Sequence, residues 1–265
     1  MRFLVQAIGY INVGRKNISI RNCSFPPNAC DAIPRGVASP LARCPPLEHD
    51  ATLPVVESHL EELLRRYPAL AVCRNEIEKA LHLLIRSFTD GGKLLVCGNG
   101  GSAADCDHIV GELMKGYLSR RPLPQEVRKR LGEVDPEVGP ALADTLQGAL
   151  PAVNITAGSA LLSAFGNDVE PDYAYAQAVY GHGRPGDVLL GISTSGNAQN
   201  VRAALCVARA MGLSTIGLTG QGGGKVSGRC DVLIAVPARK TYEVQELHLP
   251  VYHCLCAMVE AHFFP

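Results

Sequence analysis

The stretch Gly98-Asn99-Gly100-Gly101-Ser102 decides the fold of this chain. It follows an apolar run at residues 93–97 and precedes a helical pattern that opens at Ala103. A strand, a glycine-rich turn and a helix in this order can cradle a phosphate. Glycines let the backbone approach an anion, and the N–H groups at the helix start point at it. The sequence therefore predicts an anion site here.

A second turn of the same kind occurs later in the chain. The apolar run at residues 188–192 leads into Ser193-Thr194-Ser195-Gly196-Asn197, and a helical pattern begins near Ala198. Both turns follow the carboxyl end of a predicted strand, which is where ligands bind in open parallel sheets. We therefore expect one phosphorylated small molecule to lie between the two turns.

The remaining sequence alternates between strand-like and helical patterns. Helical spacing covers residues 54–66 and 77–85, ahead of the first strand. Strand-like apolar runs occur at residues 93–97, 152–156, 187–192, 214–218 and 231–236. Helical patterns separate most of these runs, which predicts an α/β fold whose parallel sheet is covered by helices on both faces.

Two segments depart from this alternation. Residues 1–51 are rich in proline and show no sustained period, which predicts a disordered or irregular N-terminal extension before a domain at 52–265. Residues 118–150 interrupt the strands with short helical patterns, which predicts a mostly helical insertion. Such an insertion is either a lid over the sheet or a surface decoration.

Composition narrows the class of protein. The 265 residues are 47% hydrophobic and carry a formal net charge of zero, which argues against direct nucleic-acid binding. No apolar run reaches the length of a membrane-spanning helix, so we expect no membrane association. The ten cysteines contain no Cys-x-x-Cys pair, and Cys97, Cys206, Cys254 and Cys256 are interpreted as small buried side chains. These features favour a cytoplasmic protein.

A nicotinamide-binding alternative rests on the same first turn. Gly98, Gly100 and Ala103 fit the G-x-G-x-x-A pattern of dinucleotide-binding folds. That pattern requires an acidic residue at the end of the second strand to hold a ribose hydroxyl. Residues 155–158 are Ile-Thr-Ala-Gly, so the required carboxylate is missing and this alternative is disfavoured.

Two pairs of polar side chains have the spacing of ion ligands. His108 and Glu112 are four residues apart on the first predicted helix, so both lie on one face. Gln245 and His253 lie about two turns apart in the last helical segment, where Pro250 is expected to kink or restart the helix. Each pair taken alone is more typical of an ordinary structural contact than of an ion site.

The motifs together closely resemble one family. The first turn with His108 and Glu112, the second turn, and Gln245-Glu246-Leu247-His248 with His253 follow in this order over roughly residues 52–262. They resemble the sedoheptulose 7-phosphate isomerase (phosphoheptose isomerase) family of the SIS (sugar isomerase) domain superfamily. The resemblance implies a three-layer αβα sandwich with a five-stranded parallel, Rossmann-like sheet. It also implies a homotetramer with active sites at subunit interfaces.

The resemblance also implies a chemistry and a set of residues. One zinc ion per active site would be held by His108, Glu112, Gln245 and His253. Glu112 would act as the base and His253 as the acid in an enediol mechanism. The implied substrate is sedoheptulose 7-phosphate, and the implied product is D-glycero-D-manno-heptose 7-phosphate. The implied substrate-binding residues are Asn99, Gly100, Gly101, Ser102, Asp168, Ser193, Thr194, Ser195, Asn197 and Gln245.

Three departures from the family pattern leave the exact sugar open, and one of them is that the insertion at 118–150 is longer than usual. Ala198 stands where the family usually has serine, so one hydrogen bond to phosphate is missing, and Tyr242 stands where aspartate is common. Some SIS relatives are protein-binding modules of the type that associates with the replication initiator, and a sugar-phosphate-sensing regulator is a third alternative. The four intact ligand positions favour an enzyme, because a scaffold has no chemical need for them.

Overall fold

The computed structural model describes the backbone of residues 49–265 and the side chains from residue 54 onward. The expected N-terminal extension therefore lies outside the described residues except for its last three positions. The helices are α1 (His49–Arg66), α2 (Arg74–Thr89), α3 (Gly101–Met114), α4 (Gln125–Val134), α5 (Gly139–Thr145), α6 (Ser159–Asp168), α7 (Ala174–His182), α8 (Gln199–Ala210) and α9 (Thr241–Phe263). The strands are β1 (Leu94–Cys97), β2 (Ala152–Asn154), β3 (Val188–Ser193), β4 (Ser214–Thr219) and β5 (Val232–Ala235).

The five strands form one parallel sheet in the order β2-β1-β3-β4-β5. All residues of β1 and β3 are buried, as expected for central strands covered on both faces. In the register between these two strands, Cys97 lies opposite Gly191. The loops that follow β1 and β3 therefore start side by side at the carboxyl edge of the sheet.

Helices cover both faces of the sheet, so the structure is a three-layer αβα sandwich and confirms the predicted fold class. Successive strand residues point to opposite faces. Leu94 and Val96 contribute to a core shared with α1, α2, α3 and α9. Leu95 and Cys97 contribute to a second core formed with α7 and α8. The helix that carries His108 therefore lies on one face, and the helix that follows the second loop lies on the other.

The final helix bears on one expectation from the sequence. α9 continues from Thr241 to Phe263 through Pro250, so of the kink or restart expected at this proline, the restart does not occur. Proline removes one intrahelical hydrogen bond. Val244 and Val251, on either side of it, are both fully buried in the same core, and this packing holds the two halves together. Gln245 and His253 consequently share a single helix.

A buried ion pair fixes the turn after α3. The Arg121 side chain is inaccessible to solvent, and its Nε lies 2.7 Å from Oε1 of Glu260 in α9. The guanidinium also donates to the carbonyl oxygens of Glu112 and Leu113, which lie in the last turn of α3. The Glu260 carboxylate in turn accepts the backbone N–H groups of residues 117–119. These bonds satisfy polar groups that the helix end would otherwise leave unpaired.

The expected helical insertion contains α4 and α5, which pack against each other. Arg128 in α4 donates to the carbonyl oxygen of Ala143 in α5 at 2.6 Å. The two ends of the insertion are tied together by an antiparallel bridge between Pro122 and Gln147. The Gly148 N–H group also donates to the Arg121 carbonyl oxygen at 2.6 Å. The insertion thus leaves and rejoins the domain at one place.

The cysteines in the described part of the chain are all free thiols. Cys97, Cys254 and Cys256 are buried, as predicted, whereas Cys206 is exposed and was wrongly assigned to the interior. Its position on α8 faces away from the sheet. Among the described helices, none combines the length and hydrophobicity needed to cross a membrane.

Candidate active site

The first loop turns the chain from β1 into α3. Gly100 has φ +56°, a backbone conformation that glycine adopts without strain, and it precedes the first residue of the helix. No side chain caps this helix start. The Ser102 side chain is buried in the turn. The uncapped N–H groups of α3 therefore face the carboxyl edge of the sheet and can bind an anion.

The second loop turns the chain from β3 into α8. Ser195 Oγ accepts the backbone N–H of Asn197 at 3.2 Å, and the Asn197 amide returns a bond to the Ser195 carbonyl oxygen at 3.0 Å. Ala198 occupies the capping position of α8 and supplies no side-chain cap. Its N–H group lies 3.5 Å from Ser193 Oγ, at the limit of a hydrogen bond. This helix start, like that of α3, has uncapped donors.

A third glycine-rich loop supports the second and was not predicted from the sequence. It follows β4 at residues 220–225, and Gly220 donates its N–H to the Thr194 carbonyl oxygen at 2.9 Å. A Cβ atom on Gly196 would collide with the carbonyl oxygen of Gly223, so the two loops touch through their backbones. The Lys225 N–H donates to Asn197 Oδ1 at 3.1 Å. The run Gly220-Gln221-Gly222-Gly223-Gly224 directly after a predicted strand was the signal in the sequence.

The Asn99 side chain links the first loop to other elements of the site through hydrogen bonds. Its side chain exchanges hydrogen bonds with Asn200 in the first turn of α8. The Tyr175 hydroxyl lies 3.1 Å from Asn99 Oδ1 and 2.9 Å from the Gly98 carbonyl oxygen. Neither Asn200 nor Tyr175 carries a sequence signal that marks it as part of the site, because both reach Asn99 from across the fold.

Three of the four predicted metal ligands meet beside α3. His108 Nε2 lies 3.2 Å from Glu112 Oε1 and 3.3 Å from His253 Nε2. Ligand atoms placed tetrahedrally about 2.0–2.1 Å from zinc lie about 3.3–3.4 Å from one another, so both separations suit such an ion. The described residues nevertheless contain no group of three His, Cys, Asp or Glu side chains already arranged around one metal position. His108 is the member common to two close pairs.

The fourth predicted ligand and the predicted sugar-binding aspartate lie apart from this group. The Gln245 amide packs against Gly101, where a Cβ atom would collide with it, rather than bonding to His108, Glu112 or His253. This places Gln245 at the start of α3, beside the first loop. Asp168 is exposed at the end of α6 and accepts a hydrogen bond from the Asn167 amide at 2.8 Å. No hydrogen bond links Asp168 to either loop within the described chain.

The surroundings of the three clustered side chains set their charge. Burial lowers the pKa of His253, neighbouring His108 acts in the same direction, and Glu112 opposes both. This favours a neutral His253 ring at neutral pH. Lys115 Nζ lies 3.1 Å from Glu112 Oε2 and partly balances the carboxylate charge. Burial also raises the pKa of Asp105, although the Tyr252 hydroxyl and His108 lower it in part.

Comparison with known proteins shows the family of this chain. The SIS domain family model matches residues 60–133 and 133–220. The phosphoheptose isomerase of Rhodospirillum rubrum is 40% identical over 191 residues, which are 72% of this chain and 88% of that protein. The chain belongs to the phosphoheptose isomerase family. The phosphoheptose isomerase of Akkermansia muciniphila is 35% identical over 75% of this chain and 91% of its own length.

Solved structures of family members share the fold. The phosphoheptose isomerase of Neisseria gonorrhoeae matches with a TM-score of 0.59 and 32% identity, over 78% of this chain and 98% of that one. The phosphoheptose isomerase of Francisella tularensis matches with a TM-score of 0.60 and 26% identity, over 78% and 97% of the two chains. As a member of the phosphoheptose isomerase family, the protein is an isomerase enzyme.

Proposed function

We propose that the protein interconverts the ketose and aldose forms of a phosphorylated sugar. The substrate is sedoheptulose 7-phosphate, and the product is D-glycero-D-manno-heptose 7-phosphate. One observation carries this proposal: α3 starts at an uncapped loop that suits an anion and presents His108 about two turns later and Glu112 about three turns later. His108 lies seven positions after Gly101. Seven helical steps span about 10 Å, a distance that an open-chain sugar phosphate can bridge.

The phosphate would bind where the two loops converge. The capping residues of α3 and α8 supply no side-chain acceptor to the first N–H groups of these helices, and hydroxyl groups lie beside them on Ser102, Ser193, Thr194 and Ser195. Asn99 is fixed by Asn200 and Tyr175, so its amide is held in place to orient the sugar. The two convergent helix starts favour a phosphorylated substrate over an uncharged sugar.

The chemistry falls to the side chains farther along α3 and α9. Glu112 removes the proton from the carbon next to the carbonyl group, which leaves the sugar as an enediol. Glu112 then returns the proton to the neighbouring carbon. His253 moves the proton between the two sugar oxygens and begins the cycle as a neutral ring. Lys115 places its positive charge 3.1 Å from Glu112 Oε2, on the side of the carboxylate away from His108.

We also propose zinc as the cofactor. His108, Glu112 and His253 are a nitrogen and oxygen donor set that suits this ion, and Gln245 would complete it after its amide moves from Gly101. A bound zinc ion would polarise the sugar oxygens. A carboxylate bound to zinc would be a weaker base, so Glu112 would serve as the base only when it is not bound to the ion.

The assembly we propose is a cytoplasmic homotetramer whose active sites lie at subunit interfaces. Within one described chain, Asp168 makes no hydrogen bond to either loop. In the proposed assembly, Asp168 would instead reach the active site of a neighbouring subunit. Mixing the inactive variants Glu112→Gln and Asp168→Asn tests the idea. Restored activity in the mixed oligomer would support sites shared between subunits, and no restoration would favour sites built by one chain. Light scattering gives the number of subunits.

Turnover of sugar phosphates tests the main proposal. The purified protein, supplied with zinc, should convert sedoheptulose 7-phosphate faster than five- and six-carbon sugar phosphates. Glu112→Gln should lose more than about 99% of this activity, because an amide cannot accept the proton. Glu133→Gln, an exposed change in the insertion, is the matched control and should keep full activity. Binding of the sugar phosphate without turnover would instead favour the sensing alternative.

A further inference from the structure

A chain of hydrogen bonds approaches His108 from the side opposite to Glu112. The Tyr252 hydroxyl lies 3.0 Å from His108 Nδ1 and 3.2 Å from Asp105 Oδ1. Asp105 and His108 are three residues apart on α3, and Tyr252 faces them from α9, next to His253 in the sequence. The Tyr252 side chain is only 2% exposed. A buried hydroxyl is costly unless it is bonded, and these two partners account for a tyrosine at this position.

The number of protons that each group carries determines which group donates in each of these hydrogen bonds. A carboxylate only accepts hydrogen bonds, and a tyrosine has a single O–H to donate. With Asp105 ionised, the Tyr252 proton points to Asp105, and the Tyr252 oxygen is left to accept. His108 must then donate from Nδ1. A neutral histidine carries one ring proton, so its other nitrogen, Nε2, keeps a free lone pair.

Nε2 is the atom that faces the rest of the site. It lies 3.2 Å from Glu112 Oε1 and 3.3 Å from His253 Nε2. A ring turned by half a rotation, or protonated on Nε2, would present no lone pair to this space. The identity of the protonated nitrogen therefore decides whether His108 can bind a metal ion or accept a proton from His253.

We infer that Asp105 and Tyr252 are positioning residues that hold His108 as its Nδ1–H tautomer. They act through hydrogen bonds and do not touch the substrate. Their effect on catalysis rests on the proposed function, because it requires His108 to serve the active site. Their effect on the His108 ring does not, since it follows from contacts within the chain.

Tyr252→Phe is the decisive variant because it removes one oxygen and keeps the buried ring. Nitrogen NMR of histidine-labelled, metal-free protein at pH 8 reports which ring nitrogen of His108 carries the proton, with His108→Ala identifying the signal. The wild type should show the Nδ1–H form, and Tyr252→Phe should show a mixture. Zinc affinity, measured by competition with a chelating dye, should fall by roughly 10- to 100-fold in Tyr252→Phe.

Tyr175→Phe is the matched control, because it also removes a buried hydroxyl but one that bonds to the first loop. It should leave the His108 tautomer and the zinc affinity unchanged. Should Tyr252→Phe fail to fold, Asp105→Ala supplies a second test, because it leaves His108 Nδ1 as the acceptor for the Tyr252 proton and should shift the ring to its Nε2–H form. An Nε2–H tautomer in the wild type would overturn the inference, as would unchanged tautomer and zinc affinity in Tyr252→Phe. An Nδ1–H wild type without sugar-phosphate turnover would overturn only the proposed function.

Discussion

Asn99 and Asn200 exchange a reciprocal pair of hydrogen bonds. Asn99 Nδ2 donates to Asn200 Oδ1 at 3.0 Å, and Asn200 Nδ2 donates to Asn99 Oδ1 at 2.8 Å. The first residue lies in the loop after β1, and the second lies in the first turn of α8, which follows the loop after β3. The pair therefore joins the two candidate phosphate-binding loops into one unit.

Breaking this pair should weaken substrate binding. We expect Asn200→Ala to raise KM for the sugar phosphate by roughly fivefold to tenfold, since about 1 kcal/mol per hydrogen bond is lost and Asn99 is freed to rotate. The change in kcat should be smaller, because Asn200 lies away from Glu112. Steady-state kinetics of Asn200→Ala and of its exposed neighbour Gln199→Ala measure the effect. Equal KM values for the two variants would contradict this role for the pair.

The second loop should respond in opposite directions to two changes. Ser195→Ala should raise KM for the sugar phosphate, because a hydroxyl beside the uncapped start of α8 is lost. Ala198→Ser should tighten binding by up to roughly tenfold, the value of one added hydrogen bond. Titration with inorganic phosphate measures both affinities. If neither change affects them, the phosphate binds elsewhere.

Zinc content should depend on both helices that carry the proposed ligands. Wild type purified with excess zinc should retain about one ion per chain, and His108→Ala and His253→Ala should each retain much less. Elemental analysis after dialysis gives the content, and the exposed His82→Ala on α2 is the control. Equal, low zinc in the wild type and in both variants would show that these residues form no zinc site.

His248 should make the fold sensitive to mild acid. It is fully buried in α9, and burial lowers its pKa to about 4, an effect that the nearby Thr219 backbone offsets in part. An unfolded histidine takes up its proton near pH 6.5, so the unfolded state binds more protons between pH 6.5 and 4. The stability that His248 contributes is complete above pH 6.5. We expect roughly 3 kcal/mol of it to be lost as the pH falls to 4.

Urea denaturation at several pH values measures this loss. The free energy of unfolding should fall less steeply between pH 6.5 and 4 in His248→Leu, which has no group to protonate. The exposed His82→Leu should follow the wild type. Parallel curves for the wild type and His248→Leu would show that His248 is protonated equally in the folded and unfolded states.

The ion pair between Arg121 and Glu260 should be the charged contact most costly to break in the described chain. Glu260→Gln leaves the buried guanidinium without its counter-charge, and such a change typically costs about 3–5 kcal/mol. The exposed pair of Lys129 and Glu133 is the matched control, and Lys129→Ala should cost less than about 1 kcal/mol. Urea denaturation at neutral pH compares the two, and similar costs would contradict the assignment.

Strands and loops, which are formed by continuous stretches of sequence, could be predicted. Contacts between residues far apart in the sequence could not. β1 and β3 were found because central parallel strands are continuous apolar runs, and both loops were found because glycine and serine cluster after them. Helical spacing marked His108 and Glu112 as one pair and placed His253 in another, and only the family resemblance joined the three into one site. Pairs such as Asn99 with Asn200 were missed, because no local pattern records a contact between residues 101 positions apart.

Two expectations rested on the preference of one residue, and the fold decided both outcomes. Pro250 was expected to kink or restart the helix, and burial on both sides of it keeps α9 from restarting there. Cys206 was placed in the interior because its residue type is usually buried, yet it lies on the exposed side of α8. Both expectations used the preference of a single residue, and in both places the packing of a whole helix decided the outcome.

The two ends of the helical insertion are held together, so the segment between them can be replaced without disturbing the rest of the domain. Pro122 and Gln147 are bridged, and the Arg121 carbonyl oxygen accepts the Gly148 N–H, so the chain on either side is already held at a fixed separation. The entropic cost of a connecting segment grows only slowly with its length. Residues 123–146 are therefore a natural place for related sequences to gain or lose chain, and for an engineer to graft a tight turn or a foreign module. α3 and β2 would keep their positions through such an exchange.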